Sequence, residues 1–189
     1  MKYKIGVYGS AAGEIDGVVP KIIELGNALK KHADSVIVIT GACKGLPYIA
    51  AKQAHSGGVE IWGYSPLHNM DELKHDAPDD DHNIYAKLQF VSEDFEFVAN
   101  KRVCMKYRNV ILTANCDAGI IIRGRWGSLN EFTNLIDMQK VVGVLTDTGG
   151  VADELVKLNQ KITKEGQGKI IFDEDPTTLI EKVLDELGS

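Results

Sequence analysis

Continuous apolar runs alternating with amphipathic stretches constrain this chain's fold more than any other feature. Ser35-Val36-Ile37-Val38-Ile39-Thr40 and Ala118-Gly119-Ile120-Ile121-Ile122 lack a polar alternation, as strands buried on both faces of a parallel sheet do. Further strands are expected at Ile5-Gly6-Val7-Tyr8, Val59–Tyr64, Leu88-Gln89-Phe90-Val91, Val141–Leu145 and Lys169–Phe172. Between them lie helical stretches near Asp16–His32, Leu46–His55, Asp94–Ala114, Gly127 onward, Val151–Lys164 and Pro176–Leu187. The first places Ile22, Leu25, Ala28 and Leu29 on one face. Repeated βα units predict a Rossmann-like, three-layer α/β/α fold with a mainly parallel sheet. The units use up residues 1–189, so a single domain is expected. Residues 65–83 break the pattern with two prolines, three of the five histidines and Asp79-Asp80-Asp81. They read as a long surface loop or lid able to close over a ligand.

Composition narrows the function. The formal net charge of −6 argues against coating phosphate backbones, so no nucleic-acid partner is expected, although a single phosphate in a local pocket is compatible with it. No apolar run approaches the ~18 residues a bilayer demands. The N-terminus turns polar too early for a signal peptide. Cys43, Cys104 and Cys116 cannot all pair within the chain, which points to a reducing, cytoplasmic setting with no membrane partner. Asp79, Asp80, Asp81 and His82 are consecutive and cannot all face one ion, so no metal is expected. No resident cofactor is expected either.

Four strand-to-helix loops contain glycine: Gly9-Ser10-Ala11-Ala12-Gly13, Gly41-Ala42-Cys43-Lys44-Gly45, Gly124-Arg125-Trp126-Gly127-Ser128 and Asp147-Thr148-Gly149-Gly150. In parallel sheets such loops gather at the carboxyl edge, where backbone N–H groups and helix N-termini face a ligand. None fits G-x-G-x-x-G or G-x-x-x-x-G-K-[ST]. Four such loops at one edge point to a phosphate-bearing small molecule, with Gly9, Ser10, Gly41, Gly124, Arg125, Gly127, Ser128, Thr148 and Gly149 as its candidate contacts. Trp126 is expected to pack beside the sheet, and Cys43 to be an inert loop cysteine.

The stretch from Arg108 to Glu131 resembles the SLOG or Lonely Guy (LOG) group, once labelled lysine decarboxylases. LOG enzymes carry an arginine, a strand and then P-G-G-x-G-T-x-x-E. Here Arg108 precedes Gly124 by 16 positions and Glu131 by 23. Tyr8-Gly9-Ser10-Ala11-Ala12-Gly13 resembles the family's opening G-S-x-x-G, and Gly143–Glu154 resembles one branch of the group. Arg123 stands at the motif's proline, Arg125 at its second glycine, Ser128 at its threonine and Asn130 at a glutamate. This wording is similar to a nucleotide-binding or molybdenum-cofactor-carrier-like branch.

The resemblance implies binding more directly than catalysis. It implies a phosphoribohydrolase that cleaves the N-glycosidic bond of a nucleoside 5′-monophosphate. Glu131 would stabilise positive charge developing on the ribose or orient the attacking water. Arg108, always charged, would hold phosphate or ribose oxygens. Gly127 and Ser128 would seat the phosphate at a helix N-terminus. The alternative implied is a non-catalytic nucleotide or pterin-type molybdenum-cofactor carrier or sensor. A homodimer or higher homo-oligomer is also implied.

Overall fold

The computed structural model describes residues 2–11, 13, 15–162 and 165–189. Seven parallel strands form one sheet: β1 (Tyr3–Gly9), β2 (Val36–Thr40), β3 (Glu60–Tyr64), β4 (Tyr85–Gln89), β5 (Ala118–Ile122), β6 (Val141–Leu145) and β7 (Ile170–Asp173). Their order is β4-β3-β2-β1-β5-β6-β7. The helices are α1 (Val19–Lys30), α2 (Leu46–His55), α3 (Met70–Asp76), α4 (Lys101–Ala114), α5 (Trp126–Asp137), α6 (Gly150–Lys161) and α7 (Pro176–Gly188). The expected three-layer Rossmann-like architecture is therefore present.

Strands β2 and β5 are buried at every position, as their unbroken apolar runs require. One core layer joins Ile5, Val7, Val38 and Ile120 to Ile22, Leu25 and Leu29 of α1 and to Leu179 and Val183 of α7. On the opposite face, Tyr8, Ile39, Ile121 and Val144 pack with Leu112, Phe132, Leu135 and Leu155. Chain order reverses between β1 and β5, because β2 lies on one side of β1 and β5 on the other. The loops leaving β1 and β5 part there, and ligand crevices form at such switch points.

Three expectations need correction. The 65–83 segment is not a featureless loop: Asn69 caps α3 by accepting from the Glu72 N–H, and Leu73 is buried. The Ser65 N–H donates to Gln89 O, and the Asp81 N–H donates to the Tyr48 hydroxyl at 2.6 Å. The strand expected at Leu88–Val91 lies earlier, at Tyr85–Gln89, because the Val91 N–H turns away to Leu67 O. Helix α4 starts at Lys101 rather than Asp94. The Asn100 side chain accepts from the N–H groups of Arg102 and Val103, and an N-cap residue marks a helix start.

Two expectations touch undescribed positions. Helix α6 runs from Gly150 to Lys161, and the expected extension over Thr163 and Lys164 lies outside the described residues. So does Ala12 of the first glycine loop.

Candidate functional site

A cleft of about 510 Å³ opens at the carboxyl edge of the sheet, at the β1/β5 switch point. Its floor is the end of β1 and the following loop, Tyr8-Gly9-Ser10-Ala11. The β2 loop contributes Gly41, Cys43 and Lys44, and the start of α5 contributes Arg125, Gly127, Ser128 and Glu131. Helix α4 forms the remaining wall with Lys101, Arg102, Met105, Lys106, Arg108 and Asn109. The rim is completed by Pro66 and Asp76 from the segment expected to act as a lid.

Hydrogen bonds lock these loops together. Ser10 Oγ accepts from the Gly124 N–H at 3.2 Å, and Ser10 O accepts from the Leu46 N–H that begins α2. Gly124 has φ +89°, a region that favours glycine, and a Cβ there would strike the buried Ser128 side chain. Helix α5 has no side-chain cap at Arg125, so the N–H groups of its first turn lack that partner. Such a helix start favours an anion.

Arg108 is 8% exposed. Its Nη1 donates to Gly41 O at 2.6 Å and to Tyr64 O at 3.1 Å, which joins the ends of β2 and β3. A Cβ on Gly41 would collide with that guanidinium, so glycine here admits the arginine. Among the described residues no ion pair is formed by Arg108, and its buried Nε has no hydrogen-bond partner.

Glu131 is also 8% exposed. Burial pushes its carboxyl up to about 7, against the opposing pull of Arg108 and Lys106. The carboxyl therefore titrates in the neutral range, as an acid–base group does. Burial likewise raises the Cys43 thiol, while the nearby Arg108 pulls the other way. Below the floor, Tyr8 Oη and Cys116 Sγ are hydrogen-bonded at 3.0 Å, and burial raises Cys116 to about 12.

Of the residues expected from sequence, Gly9, Ser10, Gly41, Arg108, Arg125, Gly127, Ser128 and Glu131 all line the cleft. Gly124 braces it from behind through Ser10. Thr148 and Gly149 stand apart. Thr148 Oγ1 donates to Leu145 O and accepts from the Arg123 N–H, while the Gly149 N–H donates to Asp153. Those bonds occupy the donors a phosphate would use. Arg123, with φ +50°, sends Nη1 to Thr148 O at 2.9 Å and lines a separate hollow with Asp16, Gly17 and Val18.

Trp126 does not pack beside the sheet. It is 79% exposed in the first turn of α5. The α4 cations Lys101, Arg102 and Lys106 were not among the expected site residues. Arg102 and Lys106 stand four residues apart and Lys101 and Arg108 seven, and spacings of four and seven share a helix face.

A model of the SLOG cluster4 family matches residues 2–180. No curated protein matches the chain. Among solved structures it is similar to TM1055, a structural-genomics target, at 17% identity and a TM-score of 0.74, covering 98% of this chain and 99% of that one. DNA processing protein A from Helicobacter pylori has 19% identity and a TM-score of 0.69, with 97% of this chain and 81% of that one covered. The molybdenum cofactor binding protein from Rippkaea orientalis has 18% identity and a TM-score of 0.67, covering 100% and 99%. The expected absence of a nucleic-acid partner needs correction. The Helicobacter pylori protein, which shares this fold, is described by its single-stranded DNA binding mode, so the fold does not exclude a nucleic-acid partner. Among the described residues no helix is long and apolar enough to cross a membrane.

Proposed function

The chain belongs to the SLOG cluster4 family, and from that premise we propose that its cleft binds a nucleotide-type phosphate ester and hydrolyses the N-glycosidic bond. The observation that carries this reading is the buried Glu131 carboxyl, titrating near neutrality in a cleft whose adjoining helix start favours an anion. The 5′-phosphate sits at Gly127 and Ser128, with Arg125 beside it. Arg108 supplies fixed positive charge from below. As the bond from the ribose anomeric carbon to the base breaks, the base leaves with the bonding electrons and takes up a proton from solvent, to which Glu131 afterwards returns the proton it accepts. The anionic form of Glu131 stabilises the cationic ribose and accepts a proton from the water that adds to it. Nucleotide and water thus become free base and ribose 5-phosphate.

A second reading, a carrier that holds a nucleotide or pterin-type molybdenum cofactor without turnover, is favoured by Arg125. It lines the cleft at the position where the LOG motif has its second glycine. Incubation with a panel of nucleoside 5′-monophosphates, followed by chromatography for free base, separates the two. Base release by the wild type that disappears in Glu131→Gln is expected. Tight binding without any release overturns hydrolysis in favour of the carrier.

A further inference from the structure

Six of the 21 lysines and arginines of this acidic chain line one cleft: Lys44, Lys101, Arg102, Lys106, Arg108 and Arg125. Only two carboxyl groups, Asp76 and Glu131, share that lining. Asp76 is already paired with Lys101 at 3.0 Å, and burial leaves Glu131 neutral for much of its time at pH 7. At least four positive charges are thus uncompensated in a protein of net charge −6. Among the described residues, Lys44, Arg102, Lys106 and Arg125 form no ion pair.

The α4 wall carries a cost that stability does not explain. Lys101 and Arg102 occupy the first turn of α4, which holds no acidic residue. Cations are disfavoured there by the helix macrodipole. Arg102 and Lys106 stand four residues apart on one helix face, where like charges repel. A bound anion would offset both costs. The phosphate proposed above takes the start of α5, which gives Arg102 and Lys106 on the neighbouring α4 no partner of their own.

We propose that the ligand is a nucleotide bearing a second phosphoryl group, held between Arg102 and Lys106 of α4 while the first occupies the start of α5. This proposal rests on the reading that the cleft binds a nucleotide-type phosphate ester. Charge-assisted bonds to two cations are the strong class, so the second phosphoryl group should tighten binding by about tenfold or more.

The test is calorimetric titration of the whole chain with the 5′-monophosphates, 5′-diphosphates and 3′,5′-bisphosphates of adenosine, guanosine, cytidine and uridine. For at least one base, a doubly phosphorylated nucleotide should bind more tightly than the monophosphate by that factor. The double variant Arg102→Gln/Lys106→Gln should lose this advantage, its affinities for the singly and doubly phosphorylated forms of one nucleotide falling within about twofold of each other. Lys157→Gln/Lys161→Gln on α6 removes the same charge away from the cleft and should keep the advantage. Equal binding of singly and doubly phosphorylated nucleotides overturns the second phosphoryl group alone. An advantage that survives in the Arg102/Lys106 variant overturns its placement on α4. Failure of every nucleotide to bind overturns the underlying nucleotide reading as well.

Discussion

Glu131 shows how one side chain can serve chemistry at the expense of stability. Its carboxyl is raised from 4.5 to about 7, so the folded protein binds this proton more tightly than the unfolded chain does. The resulting stabilisation is complete below pH 4.5 and fades as pH rises through about 7, where the buried group must ionise. Glutamine carries no such penalty. Glu131→Gln should therefore match the wild type near pH 4.5 and exceed it above pH 8 by up to about 3 kcal/mol, read from urea unfolding at both pH values. A variant no more stable at high pH would place the carboxylate in a better-solvated setting. Glu131 and Arg108 were legible in the sequence because their spacing matches a known motif. That Arg108 binds two main-chain carbonyls was not, since Gly41 and Tyr64 lie 67 and 44 positions away.

Among the elements, α2, β5 and β6 begin and end where the residue pattern puts them, as Leu46–His55, Ala118–Ile122 and Val141–Leu145. Each is bounded by glycine or polar residues and has a consistent apolar period, so local sequence suffices. The failures share a different cause. Helix α3 spans only seven residues, and its capping pair Asn69 and Glu72 sits in a stretch dominated by charge. Strand β4 lies at the sheet edge with mostly exposed residues, so it lacks the apolar run that marks the central strands. The start of α6 resembled a phosphate loop because glycine content alone does not reveal which donors are already used. Thr148 links that start to the Arg123 turn, so Thr148→Val should cost about 1–2 kcal/mol by leaving the Arg123 N–H unsatisfied. Thermal unfolding should fall by roughly 2–8 °C, with nucleotide affinity unchanged. A selective loss of affinity would return Thr148 to the binding site.

For the whole molecule, the alternation of βα units was enough to give the class of fold, and the family resemblance located the switch-point loops. What escaped was the facing of α4, because helix orientation about its axis is set by packing against α5. Asn109 Nδ2 donates to Asn130 Oδ1 across that seam, while Cys104 and Leu112 are buried. The three thiols differ in accessibility. Cys104 and Cys116 are sealed inside, and Cys116 is further held as a thiol by its surroundings, whereas Cys43 is partly exposed on the wall of the cleft. The protein thus carries a built-in chemical reporter. Alkylation at pH 8.5 followed by peptide mass mapping should modify Cys43 alone, and slowly, because burial raises that thiol too. Protection by an added nucleotide would report occupancy of the cleft without an engineered label, while unchanged labelling at saturating nucleotide would place the ligand elsewhere.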